Sequence, residues 1–149
     1  MSDNLLKLIP ISPIYVPEED SIQKALASIK LLFWSASEIT IKQTDSPQFI
    51  DQGGNFERII CPKCSGTINE AWWKEAMNNA LAKEFFELNV IVLCCNSMMS
   101  LNELKYEWPA GFACFSIQIT NPNRDLSHEE LHAIEVVLGT RLKKIWARY

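Results

Sequence analysis

Apolar residues recur along this chain with two periods, and the switches between them lay out a fold. Leu5 to Ile11 is a short apolar run with β-branched members and reads as a strand. Pro10 and Pro13 limit its length or place it at a sheet edge. After a turn through Pro17, Glu18, Glu19 and Asp20, residues Ile22, Ala25, Leu26, Ile29, Leu32 and Phe33 recur at helical spacing. Asp20 or Ser21 is a natural N-cap for that helix. Glu38 to Gln43 alternates, with Ile39 and Ile41 set between polar neighbours, which marks a half-buried strand.

The same order returns at the other end. Gly111 to Thr120 alternates with Ala113, Phe115, Ile117 and Ile119 on one face, until Asn121-Pro122-Asn123 breaks it. Ser127 followed three residues later by Glu130 is a capping box. The helix it opens has Leu131, Ile134, Val137 and Leu138 as its core face and ends at Gly139. Leu142 to Tyr149 reads as the last strand. Each end is therefore strand, helix, strand, a repeat of pattern with little residue identity. The pattern predicts an α+β fold: two βαβ-like halves, 5–43 and 111–149, forming a ferredoxin-like sheet with helices on one face. All of residues 1–149 then make one domain, with an insertion at about 48–109 between the halves.

The insertion has its own pattern. Phe49-Ile50 and Phe56 to Ile60 read as short strands on either side of a Gly53-Gly54 turn. Thr67 or Asn69 caps a helix whose stripe is Trp73, Ala76, Met77, Ala80, Leu81, Phe85 and Leu88. Val90 to Leu93 is a continuous apolar strand, and Leu101 to Trp108 reads as irregular with a helical turn.

Four of the five cysteines fall in this insertion, as Cys61-Pro62-Lys63-Cys64 and Cys94-Cys95. A Cys-x-x-Cys turn supplies two thiolates from one backbone knuckle, and two more complete a tetrahedron around zinc. Adjacent side chains on a regular strand point to opposite faces, so Cys94 and Cys95 reach one metal only where the chain turns sharply. Asn96 tolerates the left-handed conformation such a turn needs. Three readings are open: a structural Zn²⁺ held by Cys61, Cys64, Cys94 and Cys95 in a zinc-ribbon-like insertion, buried metal-free thiols, or a redox pair at Cys61 and Cys64. Cys114 lies opposite the main apolar face of its strand and reads as packing.

Composition narrows the function. A net charge of −4 argues against nonspecific nucleic-acid binding, which needs a basic face. The polar, acidic start Met1-Ser2-Asp3-Asn4 lacks the features of a signal peptide, and no apolar run has the length of a membrane span. With an odd cysteine count, this predicts a cytoplasmic protein with reduced or metal-bound thiols.

His128-Glu129-Glu130-Leu131-His132 fits the H-E-x-x-H pattern of zinc peptidases. It starts at the first helical position, lacks a good third ligand downstream, and places a charge at Glu130, an inner position where such peptidases carry an uncharged residue. Acidic residues belong in a first helical turn without any catalytic purpose. Among the aromatic residues, Trp72 points away from the predicted helix stripe, and Tyr106 and Trp108 cluster near Phe112. They form either a second small core under the cysteines or a partner-binding patch.

Cys-Pro-x-Cys, Trp72-Trp73, Cys94-Cys95, the run from Leu101 through Tyr106, Trp108-Pro109 and Gly111-Phe112, and the closing Trp146-Ala147-x-Tyr149 together resemble a family of small bacterial cytosolic proteins. The resemblance spans nearly the whole chain, leaves out the His128–His132 pentad, and carries no activity with it. By a looser analogy of type, it suggests an immunity protein that neutralises a cognate toxin. The resulting expectation is a non-enzymatic protein-binding domain with a structural zinc, binding neither nucleic acid nor membrane. A small zinc-dependent hydrolase using His128, Glu129 and His132, or a zinc-ribbon nucleic-acid adaptor, are the alternatives.

Overall fold

The computed structural model describes residues 3–149. Their elements in chain order are β1 (Asn4–Pro10), α1 (Glu19–Leu32), β2 (Glu38–Ile50), β3 (Ile59–Ile60), α2 (Glu70–Leu81), β4 (Asn89–Ile91), β5 (Met98–Ser100), β6 (Lys105–Tyr106), β7 (Gly111–Thr120), α3 (His128–Leu138) and β8 (Leu142–Arg148). Strands β2, β7, β1 and β8 form one sheet in that order, every neighbouring pair antiparallel. With the insertion set aside this is the strand order of a ferredoxin-like βαββαβ fold, so the α+β reading holds.

Both helices cover one face of the sheet. Ile22, Ala25 and Ile29 from α1 and Ile134 and Leu138 from α3 pack with Leu6, Leu8, Phe115, Ile117 and Ile119 from the central strands. Ala113 leaves this set: it packs with Ile9, Ile50 and Ile145 in a separate small cluster. Strand β2 also differs from expectation. It continues through Ile50, with a register shift between Gln43 and Gln48 where four residues are accommodated opposite Cys114. The chain therefore leaves the sheet after Ile50 rather than before residue 48, and Phe49-Ile50 is the end of β2.

Cap residues follow the local rules where the side chain can reach. Asn69 accepts from Trp72 N, and Ser127 and Glu130 close a reciprocal capping box. Gly139 ends α3 in the left-handed conformation (φ 75°). Helix α1 begins at Glu19, ahead of Asp20 and Ser21, with Glu18 at the N-cap and no side-chain cap.

The insertion folds around a second core. Ile59, Ile68, Phe85, Leu88, Val92, Leu101, Leu104 and Tyr106 are buried together with Phe112 of β7. Trp73 packs against this core, its ring edge-on to Phe49 at 5.8 Å and to Tyr106 at 6.0 Å. Phe49 and Phe112 thus tie the insertion to the sheet, their centroids 5.2 Å apart. Helix α2 stops at Leu81, short of the predicted Leu88, and Leu81 itself is exposed. Glu84 and Phe85 take left-handed backbone angles in the turn that follows, which lets Phe85 bury against Phe112 at 5.2 Å. Strand β3 is only two residues long, β4 ends at Ile91, and β5 and β6 flank a hydrogen-bonded turn at residues 101–103, closed by Glu103 N donating to Ser100 O (2.9 Å). Among the described residues, no helix is long and apolar enough to cross a membrane.

Candidate metal centre

Two short hairpins bring the cysteines together. Ile60 and Thr67 are bridged, and Ile91 pairs with Met98. Inside each pair lies a turn of the same construction. In the first, Cys61 N donates to Gly66 O (2.9 Å) and Ser65 N to Cys61 O (2.9 Å). In the second, Val92 N donates to Ser97 O (3.0 Å) and Asn96 N to Val92 O (2.9 Å). Ser65 (φ 62°) and Asn96 (φ 56°) occupy the same left-handed position. The turns therefore match position by position. Cys64 corresponds to Cys95, and buried Cys61 corresponds to buried Val92. Cys94 supplies its sulfur from the place held by Lys63. This resolves the geometry of adjacent cysteines, because within a turn, unlike a strand, neighbouring side chains need not diverge.

The four sulfurs lie within 4.8 Å of one another, and those of Cys61 and Cys95 are 3.8 Å apart. Thiolates at about 2.3 Å from a tetrahedral ion sit about 3.8 Å from each other, so the spacing suits a metal. Gly66 N donates to Cys64 Sγ at 3.4 Å. A Cβ at Gly66 would stand 3.2 Å from that sulfur and 3.7 Å from Cys94 Cβ, so the glycine permits the close approach of the two turns.

The thiols are unequal. Backbone N–H groups of Cys64 and Lys63 aimed at Cys61, against the opposing effect of desolvation, hold its thiol down to about 7. Cys94 is exposed as a residue, yet its sulfur is crowded by the other three. Desolvation there, and proton donation toward Cys64 and Cys61, push it up to about 12. Ionisation of Cys61 is thus eased and that of Cys94 opposed, chiefly by desolvation. A divalent cation removes that opposition, and an all-thiolate donor set selects soft or borderline metals. Cys114 is buried in β7, remote in sequence from both turns, and does not join the cluster.

No family model, curated protein or solved structure matches the chain.

The remaining candidates separate clearly. Among the described residues, the four cysteines are the only close grouping of three or more metal-ligating side chains, so His128, Glu129 and His132 gather no site. Glu130 serves the cap and pairs with Arg124, and His132 Nδ1 lies 3.7 Å from Glu135. Tyr106 leaves the set of partner-facing residues: it is 4% exposed, accepts from Trp73 Nε1 (3.2 Å) and donates to Leu101 O (2.8 Å). Trp72 is half-buried and borders two grooves, of about 370 and 220 Å³, each lined in part by the second hairpin. Trp108 is 45% exposed, at the far end of the insertion.

Ile91, Leu93 and Met98 were not singled out by the sequence, yet all are well exposed on the second hairpin, Leu93 and Met98 at 67%. Ile91 and Met98 are cross-strand partners, and Leu93 lies within the turn beside Cys94. An apolar run such as Val90 to Leu93 reads as core until the turn at Val92 divides it, burying Val92 and exposing the residues on both sides.

Proposed function

We propose that Cys61, Cys64, Cys94 and Cys95 hold one Zn²⁺ in closed coordination, that the ion is structural, and that the chain works by binding another protein. The observation that carries this reading is the exposed apolar surface on the cysteine-bearing hairpin: Ile91 and Leu93, which line grooves shared with Trp72, and Met98, the cross-strand partner of Ile91. Exposed apolar side chains add little to folding, and a metal-pinned turn holds them with little conformational entropy left to lose on binding. Four protein ligands leave no open position for an activated water, which favours a structural over a catalytic ion. A toxin-neutralising role is the concrete form suggested by the resemblance, and a toxin-like open reading frame beside the gene would favour it.

Metal analysis of protein purified without chelator is expected to find one zinc per chain, lost in Cys61→Ser and kept in Cys114→Ala. Zinc-free wild type with all thiols titratable would overturn the metal reading. For the partner, crosslinking in the native host is expected to recover a stoichiometric complex with wild type and none with Leu93→Asp/Met98→Asp, at unchanged zinc content. No such complex with wild type would overturn the binding reading.

A further inference from the structure

Away from the cysteines, a cavity of about 560 Å³ opens where the chain enters and leaves the insertion. Five separate segments build it: Asn4 at the start of β1, Asn55 just past β2, Trp108 at the end of the insertion, Arg124 after β7, and Trp146 and Arg148 on β8. Among the described residues no Asp or Glu lines it, although acidic residues outnumber basic ones in the chain, 18 to 14. Arg124 is committed: it pairs with Glu130, donates to Asp125 O (3.0 Å) and lies over the Phe33 ring. Arg148 is exposed and, among the described residues, has no carboxylate partner.

Trp108 is held there by design of the backbone. Its φ is 56°, a conformation rare for a bulky side chain. Its carbonyl accepts from Nε2 of the buried Gln52 at 3.1 Å, which anchors the turn while the indole stays exposed. Asn55 Nδ2 donates to Trp146 O (3.1 Å), tying the start of the insertion to β8. An exposed indole offers a stacking face, and an unpaired guanidinium offers charge-assisted hydrogen bonds to a phosphate.

We propose that this cavity binds a mononucleotide, its base stacked on Trp108 and its phosphate on Arg148. One unpaired cation lining the cavity, in a chain of net charge −4, suits a small anion, whereas a long polyanion would be repelled by the remaining surface. The site is separate from the cysteine hairpin, and its test does not depend on metal or protein partner.

Calorimetric titration of the intact protein with AMP and GMP is expected to show saturable binding. Arg148→Gln and Trp108→Leu should each weaken it by roughly tenfold or more, the scale of a lost charge-assisted contact or base stack. Adenosine and inorganic phosphate alone should each bind at least about tenfold more weakly than AMP. Trp108→Tyr should restore most of the stacking, and Arg148→Gln, at an exposed position, should keep the wild-type melting temperature. Failure of both nucleotides to bind at millimolar concentration, or unchanged affinity in Arg148→Gln, would overturn the proposal. So would tighter binding of a short single-stranded oligonucleotide than of AMP, which would assign the surface to nucleic acid.

Discussion

Lys7 shows how much one residue can depend on distant ones. It interrupts the apolar run of β1, and its side chain is turned to the sheet face opposite the helices. There it is 7% exposed, donating to Asp51 O (2.9 Å) and Tyr149 Oη (2.7 Å) and pairing with Asp51 Oδ1 (3.4 Å). Tyr149 in turn donates to the Asp51 carboxylate at 2.9 Å. Burial lowers the Lys7 pKa, with Asp51 opposing the shift. Burial alone would raise that of Asp51, but the Tyr149 hydroxyl, the Lys7 charge and the Gly53 N–H together bring it below the usual value. A carboxyl with a depressed folded-state pKa adds stability above its unfolded pKa and loses it as pH falls through the folded one. Asp51→Asn should therefore destabilise near neutrality, by no more than about 1 kcal/mol because Asp51 is partly exposed. The gap should close in acid; urea melts of both proteins across pH would show it, and a pH-independent gap would exclude this origin. Nothing in the sequence marked Lys7, Asp51 and Tyr149 as partners, since chain separation hides such triads.

Among the elements, those whose signals are local were legible. The Ser127–Glu130 box and Gly139 sit where the sequence places them because a cap is satisfied within one turn of backbone. Ser127→Ala should cost about 1 kcal/mol, read as a lower urea midpoint at unchanged slope; an unchanged midpoint would mean the cap is replaced by water. The start of α1 and the end of α2 were not legible. Helix α1 starts at Glu19 without a side-chain cap, and α2 stops at Leu81 because Phe85 turns back to bury against Phe112. Strands β3, β5 and β6, of two or three residues, are too short to show a period and exist because their partners do.

For the molecule as a whole, the two cores are unequal in what holds them. The helix-covered sheet contains none of the four clustered cysteines, whereas Cys61 is part of the insertion core and Cys95 packs against it. With zinc bound as proposed, chelation should raise amide exchange first across residues 56–108 and leave β1 and most of β7 protected. Phe112, shared between sheet and insertion, should mark the boundary. Hydrogen exchange with and without chelator checks this, and uniform loosening of both regions would contradict a metal that organises the insertion alone.

The sequence by itself determined the α+β class, the two strand–helix–strand ends, the caps of α3, and which four cysteines could meet; it narrowed the α2 cap to Thr67 or Asn69. Period, capping and Cys-x-x-Cys spacing are properties of a few neighbouring residues, so they can be read along the chain. Only the tertiary structure decided that Cys94 and Cys95 share a turn matching Cys61–Gly66, and that Val92 rather than a cysteine fills its buried first position. Tertiary packing also buried Tyr106, left Leu93 and Met98 exposed, and drew Trp108 and Arg148 to one cavity. Those outcomes depend on which surfaces meet across long stretches of chain, where burial and close approach, rather than local period, set each residue's place.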